Sequence, residues 1–275
     1  MKPPRKPQRP ATRPGGFAPS GGKGPPRHAG KAEEKFHGVR ACEALFARRP
    51  GDIVRVYVTA RRKPTFAKLL EHCVRERKGF QIVDDENLER LSGSLHHEGI
   101  TILAKAIRRM DLAALLQSLE QRTISGPLLY LDGVQNPHNL GSILRTAAHF
   151  GVGAVIGAEG ELPPLSAAAV RVAEGAAEHV PVVTLANSGP DLARLKKAGY
   201  ELVATTSHGG DVLWTAPLAD ARKLVLVMGS EGEGVSRGIA KACDRTVQIP
   251  GTGVVESLNV SVACGIVLAE VRRRG

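Results

Sequence analysis

The sequence of 275 residues predicts an α/β fold in which a largely parallel sheet follows a smaller α/β unit. From Pro127 onward, short and continuous apolar runs alternate with helix-like segments. Continuous apolar runs are typical of parallel strands that helices cover on both faces. The chain length leaves room for one small and one medium domain, each with its own hydrophobic core. Ahead of both domains, the first residues have a composition that does not favour folding.

The first residues form a basic segment. Residues 1–32 contain eight Lys or Arg and no Asp or Glu, in a chain whose formal net charge is +11. This segment is rich in Pro and Gly and has almost no large apolar residues, so it cannot bury enough surface to offset the entropy lost on ordering. We predict a disordered basic arm over residues 1–34, suited to a polyanion because bound phosphates release counterions. A solubilising tail without a partner is the alternative.

The small α/β domain is predicted over residues 35–105. Its expected elements are a helix over 36–50, a β-branched strand over 53–60, a helix over 64–79, a strand over 80–84, a short acidic helix over 85–92 and an apolar segment over 99–107. Residues 106–124 then predict a helical linker to the second domain.

The larger domain is predicted over residues 125–275. Its expected strands are the apolar runs 128–133, 154–158, 180–185, 202–207, 224–230 and 246–250. Ligands of such sheets usually bind beyond the carboxyl ends of the strands, where backbone N–H groups and helix N-termini gather. The loops after the strands are therefore where a site is expected.

Three of these loops carry polar residues in suggestive positions. In the loop and helix of 131–152, Asn139 lies near a helix start and Arg145 follows six residues later. A strand enters the Gly-rich turn that carries Glu231, and Ser257 and Asn259 precede the last helix. Taken singly, each residue also has a structural explanation, as a helix cap, an ion-paired side chain or a turn residue.

Several classes of ligand are disfavoured. No G-x-G-x-x-G follows the first strand of the larger domain, and the two acids of "GSEGEG" would repel a pyrophosphate. A cationic or neutral ligand suits this turn better, and a sulfonium that carries an adenosine would fit. The four cysteines are far apart with no C-x-x-C pair, which predicts reduced thiols and neither a disulfide framework nor a metal site.

The cellular compartment is predicted from what the chain lacks. No run approaches the roughly 18 apolar residues of a membrane span. The N-terminus has no apolar centre of a signal peptide. A cytoplasmic protein without a membrane partner is expected.

The three loops together resemble the motifs of the SpoU (TrmH) family of RNA ribose 2′-O-methyltransferases, within the SPOUT superfamily. The family pattern of Asn, five residues and Arg-Thr is matched by Asn139 and Arg145-Thr146. The G-x-E-x-x-G loop is matched from Gly229 to Gly234, and the I-P and S-L-N-V-S-x-A signature by Ile249-Pro250 and residues 257–263. In the front domain, "HGVRACEAL" and "HHEGI" are similar, more loosely, to the family's substrate-binding domain.

This resemblance implies a fold detail and a cofactor. It implies that the last strands and helix form a deep trefoil knot, which the rarity of threaded connections would otherwise argue against. It also implies that main-chain groups of Gly229, Ile249 and Leu258 hold S-adenosylmethionine. Family members often carry Met after the Ile-Pro pair, whereas this chain has Gly251.

The resemblance further implies methylation of a ribose 2′-hydroxyl in structured RNA, either rRNA or tRNA, by a homodimer. The catalytic set carried over is Arg145, Asn139, Glu231, Ser257 and Asn259, with Arg145 completing the site of the neighbouring subunit. We favour Arg145 as a phosphate anchor over a base, because a guanidinium does not deprotonate readily in a protein. The alternatives are a catalytically silent RNA-binding relative and a Rossmann-type nucleotide-binding enzyme.

Overall fold

Two β-sheets organise residues 33–275, which are the residues that the computed structural model describes. The first sheet has four strands and the second has eight. The basic arm predicted over residues 1–34 lies outside the described residues, except for Glu33 and Glu34, which begin the first strand. Among the described residues, no helix combines the length and the apolar character needed to cross a membrane.

The front domain contains a mixed sheet with three helices. Its elements are β1 (Glu33–His37), α1 (Val39–Arg48), β2 (Ile53–Thr59), α2 (Ala67–Arg75), β3 (Gly79–Val83), α3 (Asp85–Ser92) and β4 (Ile100–Lys105). The strand order is β1-β4-β2-β3, and only β2 and β3 run parallel. The helix predicted over 36–50 begins at Val39, because Phe36 and His37 pair with β4. Gly38, between them and the helix, has a φ of 94°, which is not a helical conformation.

The larger sheet is parallel throughout. Its elements are β5 (Met110–Asp111), α4 (Leu112–Glu120), β6 (Leu128–Asp132), α5 (Pro137–Phe150), β7 (Ala154–Ala158), α6 (Ala167–Val172), β8 (Val182–Leu185), α7 (Ser188–Lys197), β9 (Glu201–Thr206), β10 (Asp211–Val212), β11 (Leu224–Gly229), α8 (Arg237–Ala242), β12 (Arg245–Gln248) and α9 (Val260–Arg274). The strand order is β10-β12-β9-β11-β6-β7-β8-β5. All six strands predicted from the apolar runs are present in this sheet.

Residues 106–124 contain a helix, α4, as the sequence predicts, but a short strand that the sequence does not predict precedes it. Met110 and Asp111 form β5, which pairs with β8 at the edge of the larger sheet. The carboxylate of Asp111 then caps α4 by accepting a hydrogen bond of 2.8 Å from the N–H of Ala114. Because Leu112 and Leu115 are buried against the sheet, this segment is part of the larger domain.

Helices cover both faces of the larger sheet. On β6, Leu128 and Tyr130 point into one apolar layer, and Leu129 and Leu131 point into the other. The first layer is covered by α4, α7 and α8, and the second by α5, α6 and α9. This arrangement explains the continuous apolar strands and leaves the carboxyl edge of the sheet for loops that can carry a site.

The two domains share one core. The sequence predicts a separate core for each domain, but the apolar layer on the α5, α6 and α9 side continues into the front domain. The junction includes Cys42 and Leu45 of α1 and Ala176 and Ala177 of the larger domain, all of them buried. The front domain is thus packed directly against the larger domain.

Candidate active site

The first turn of α5 presents Asn139 just beyond the carboxyl end of β6. Asn136 caps this helix, since its side-chain oxygen accepts a hydrogen bond of 2.9 Å from the N–H of His138. Pro137 occupies the first turn, where its missing N–H has no cost. The capping role is therefore filled by Asn136, and the side chain of Asn139 is available for contacts with other loops.

A tight turn after β11 holds Glu231. Gly229 ends this strand, and a Cβ atom added there would lie 2.0 Å from the carbonyl carbon of Gly234, so only glycine fits. Ser230 and Gly234 close the turn with N–H to carbonyl bonds of 3.1 and 3.0 Å. The buried carboxylate of Asp132, at the end of β6, accepts a further bond of 2.6 Å from the N–H of Ser236. The turn is thereby fixed to β6, with the Glu231 side chain exposed at its tip.

Asn259, and not Ser257, is the N-cap of α9. Its side-chain oxygen accepts hydrogen bonds from the N–H of Ser261 at 2.9 Å and from the hydroxyl of Ser261 at 2.6 Å. Ser257 lies two residues upstream in the exposed segment 250–259. Ser257 is thus placed near the candidate site without a side-chain hydrogen bond to the other described residues.

Three of the five predicted catalytic residues form one hydrogen-bonded group, which we call the polar cluster: Asn139, Glu231 and Asn259. Asn139 Nδ2 donates to Glu231 Oε1 at 3.0 Å. Asn259 Nδ2 donates to Asn139 Oδ1 at 3.2 Å and also to Glu231 Oε1. Because each member comes from a different motif loop, the polar cluster ties together the three loops at the carboxyl edge of the sheet.

Arg145 lies apart from the polar cluster. Six positions beyond Asn139 on α5 correspond to about 9 Å of rise and a rotation of roughly 240°, so the two side chains leave different faces of the helix. The exposed Arg145 lines a groove of about 570 Å³ together with Arg40, His149 and His179. We call this the cationic groove. Within one chain, the structure does not bring Arg145 to the other predicted catalytic residues.

Two of the three predicted cofactor residues lie on either side of β9. Gly229 is the last residue of β11 and Ile249 follows β12, and β9 lies between these two strands in the sheet. The carboxyl end of β9 carries Thr206, which is paired with Gln248 of β12. The sequence pattern does not single out Thr206, since only the order of strands in the sheet reveals it. Leu258, the third predicted residue, is 42% exposed beside the N-cap of α9.

The segment between β12 and α9 is open in the single chain. A Cβ atom added at Gly251 would meet nothing within 4 Å, so this departure from the family pattern leaves free space in place of a side chain. Val254 and Val255 are 87% and 69% exposed. Two neighbouring apolar side chains are thus exposed to solvent in this segment of the single chain.

The described residues contain free thiols and no grouped set of metal ligands. Cys42, Cys73 and Cys264 are buried and Cys243 is half-buried, all as free thiols. Burial raises the pKa of Cys264 to about 12, which keeps its thiol protonated and unreactive. No three His, Cys, Asp or Glu side chains of residues 33–275 are grouped so that they could hold a metal ion.

Comparison with known protein families gives two matches in order along the chain. Residues 37–110 match the RNA 2′-O ribose methyltransferase substrate-binding family, and residues 126–269 match the SpoU rRNA methylase family. The second match contains the polar cluster and Arg145, and the first contains Arg40.

Similar proteins span most of the chain. The uncharacterised tRNA/rRNA methyltransferase YfiF of Escherichia coli O157:H7 is 39% identical over 241 residues, which are 87% of this chain and 68% of that protein. The 23S rRNA (guanosine-2′-O-)-methyltransferase RlmB of a Burkholderia species is 38% identical, with 87% of this chain and 96% of that protein covered.

Solved structures have the same fold. A TrmH-family protein from Porphyromonas gingivalis superposes with a TM-score of 0.69 at 26% identity, over 89% of this chain and 91% of that one. An AdoMet-bound rRNA methyltransferase from Sinorhizobium meliloti gives a TM-score of 0.71 at 23% identity, over 88% of each chain. By its matched family model and by relatives of up to 39% identity along most of its length, the chain belongs to the SpoU rRNA methylase family.

Proposed function

We propose that this protein transfers the methyl group of S-adenosylmethionine to a ribose 2′-hydroxyl of RNA. The observation that carries the proposal is the polar cluster, in which Asn139, Glu231 and Asn259 from three motif loops are hydrogen-bonded to one another. Side chains that are already held in place can align a reacting group without reorganisation during the reaction. The matched family and the names of the relatives support the same chemistry.

The cofactor site is proposed at the carboxyl ends of β11, β9 and β12. Main-chain groups of Gly229, Ile249 and Leu258 would hold the adenosine part, with Thr206 beside them. When bound, S-adenosylmethionine supplies an electrophilic methyl group on a sulfonium. The carboxylate of Glu231 favours a cationic ligand near the polar cluster. We further propose that the last strands and α9 form a deep trefoil knot, which would hold these loops in place.

Arg145 is proposed as the phosphate anchor of the reaction, acting in the site of a partner subunit. Its guanidinium has the planar donor pattern that suits a phosphate and can also stabilise a developing alkoxide. Two observations support a dimer. Arg145 lies apart from the polar cluster of its own chain, and Val254, Val255 and Val262 are exposed near the start of α9. A two-fold contact at this surface would cover these apolar side chains.

The family matches support a role in RNA binding for the front domain, and the charge of the first residues supports one for the basic arm. The front domain of residues 35–105 is proposed to bind the RNA substrate, and the basic arm of residues 1–34 to add electrostatic attraction in the cytoplasm. RlmB relatives are named for a guanosine of 23S rRNA, which makes 23S rRNA the first substrate to test, whereas YfiF is named for tRNA or rRNA.

Methyl transfer to RNA is the decisive test. RNA from cells that lack the gene is incubated with the purified protein and labelled S-adenosylmethionine, separated into rRNA and tRNA, and mapped for ribose methylation. We expect label at one nucleotide of one RNA class, and no label with Asn259→Ala. Binding of the cofactor without transfer to any RNA would indicate a silent relative. Thermal stabilisation by NAD(H) but not by S-adenosylmethionine would indicate a dinucleotide enzyme.

A further inference from the structure

The cationic groove is formed by both domains. Arg40 is the second residue of α1 in the front domain, whereas Arg145 and His149 belong to α5 and His179 lies before β8. Among the described residues, Glu174 is the single acidic residue that lines the groove, so the formal charge of the groove is positive even with both histidines neutral. The groove volume of about 570 Å³ lies within the range of small-ligand pockets, which is enough for a nucleotide unit.

Residues at both ends of α1 contact the segment 175–178 of the larger domain, which borders the cationic groove. Near the start of the helix, Gly175 has a φ of 88°, and a Cβ atom added there would lie 2.9 Å from Ala44 Cβ and 3.0 Å from the carbonyl oxygen of Arg40. The backbone of the larger domain therefore touches α1 directly. Just after the helix, Arg49 forms two hydrogen bonds with the buried carboxylate of Glu178, at 2.7 and 2.9 Å. These contacts fix the backbone of α1, which carries Arg40, against the segment that borders the groove.

Arg40 has little structural role of its own. Its guanidinium contacts Glu43 at 3.3 Å, with the two side chains 71% and 42% exposed. Exposed pairs of this kind contribute at most about 1 kcal/mol, so a stronger ligand can replace this partner. A guanidinium binds two phosphate oxygens in its plane, and an ammonium cannot reproduce that contact. Two such groups, one from each domain, line the same groove and suit a ribose-phosphate backbone.

We propose that Arg40 is a positioning residue that binds an RNA phosphate in the cationic groove together with Arg145 of the same chain. In this arrangement the front domain positions the RNA sugar-phosphate backbone next to Arg145, in addition to recognising the RNA. This inference deepens the proposed function and rests on it. In a dimer, Arg40 and Arg145 of one chain would serve the polar cluster of the partner.

The test compares two arginines of the same helix in the full-length protein. Arg40→Ala should raise KM for RNA about tenfold at low salt, change kcat less than about twofold and leave S-adenosylmethionine affinity unchanged. The slope of log affinity against log salt should fall by about 0.7 to 0.9, the value for one lost phosphate contact. The control is Arg48→Ala, which removes the same charge from an exposed position that lines a different cavity. It should alter neither KM nor the slope.

Direct RNA binding separates this inference from the proposed function. The probe is a fluorescent RNA fragment of the 23S rRNA region that the wild-type protein methylates or, if it methylates none, a structured 23S rRNA fragment that it binds. Selective weakening by Arg40→Ala supports the groove whether or not a methyl group is transferred. Equal effects of Arg40→Ala and Arg48→Ala, or no effect of Arg40→Ala on binding and on KM, would overturn the inference. Arg40→Lys should keep the salt slope and recover only part of the affinity.

Discussion

The two ends of α5 carry two regions with opposite character. At its first turn, the polar cluster is internally hydrogen-bonded and contains the carboxylate of Glu231. Further along the helix, the cationic groove presents Arg40 and Arg145 without a comparable set of bonds between them. The difference teaches that the side chains of one region are already held by hydrogen bonds to one another, whereas the arginines of the other region are exposed and can bind an anionic ligand.

Substitutions in the polar cluster and in the cationic groove should have different effects. Members of the polar cluster share hydrogen bonds, so a change in one member alters the partners of the others and their effects should not add. In our proposal, the arginines of the groove contact the substrate separately. Substitutions in the two regions should therefore change different measured quantities.

Arg145→Ala is expected to have the largest effect. Methyl transfer should fall by roughly two to three orders of magnitude, the usual loss when one charge-stabilising donor is removed. Affinity for S-adenosylmethionine should remain nearly unchanged, because Arg145 lies outside the polar cluster. Arg145→Lys should recover little activity, since the planar two-point contact is lost. Single-turnover rates and cofactor titration measure the two quantities.

Mixed dimers show which chain supplies Arg145. Chains with Arg145→Ala are combined with chains carrying Asn259→Ala. If Arg145 acts across the interface, each heterodimer contains one site with both residues intact and regains activity. Verified heterodimers that remain inactive, or a fully active Arg145→Ala protein, would contradict the role assigned to Arg145.

Glu231→Ala is expected to weaken cofactor binding by roughly one to two orders of magnitude, because Asn139 and Asn259 lose a charged acceptor. RNA binding in the groove should change little. The matched control is Glu233→Ala, which removes another exposed carboxylate of the same turn, one that makes no side-chain bond to Asn139 or Asn259. Isothermal titration with S-adenosylmethionine measures the difference, and equal losses in both variants would show that only the charge of the turn matters.

Short-range signals predicted most of the larger domain. Each continuous apolar run became a strand, and the motif spacing selected Asn139, Glu231 and Asn259, which the structure joins. The residues that cap the two helices are Asn136 and Asn259, which the sequence pattern does not single out as caps. Several nearby polar residues could fill a cap, and only the backbone path selects one of them.

Contacts between distant segments could not be predicted. The two-residue strand β5 is too short for a pattern, and its place depends on pairing with β8. Glu98 adopts a left-handed φ of 56° and accepts a bond of 2.8 Å from the N–H of Val39, which caps α1 from 59 residues away. The approach of Arg40 to Arg145 likewise depends on the packing of α1 at Gly175. Such features follow from tertiary packing, which sequence periodicity does not predict.

Arg49→Ala tests whether the groove, unlike the polar cluster, depends on the contact between domains. Its loss leaves the carboxylate of Glu178 buried without a partner, with 4% of that side chain exposed. We expect a loss of about 2 kcal/mol in the free energy of unfolding, below the usual value for a fully buried pair because Arg49 is partly exposed. KM for RNA should rise while cofactor affinity stays constant. The double variant Arg49→Met/Glu178→Leu should regain stability, and failure to do so would show that the loss comes from packing.

The smallest expected effect concerns the far end of α9, the helix that begins at the polar cluster. Arg273 and Arg274 donate to the carboxylate of Glu270 at 2.7 to 2.8 Å and lower its pKa from an ordinary 4.5 to about 2. A lowered pKa means that the ionised form stabilises the folded state, fully above pH 4.5 and progressively less as the pH falls towards 2. Thermal unfolding of Glu270→Gln should therefore occur below that of the wild type at pH 7, and the gap should close as the pH falls through this window. Cofactor affinity at pH 7 should be the same in both proteins, because the ion pairs lie at the opposite end of the helix from Asn259. A gap that persists at pH 2 would show that Glu270 stabilises α9 by packing rather than by its charge, and a loss of cofactor affinity would show that the polar cluster depends on the whole length of this helix.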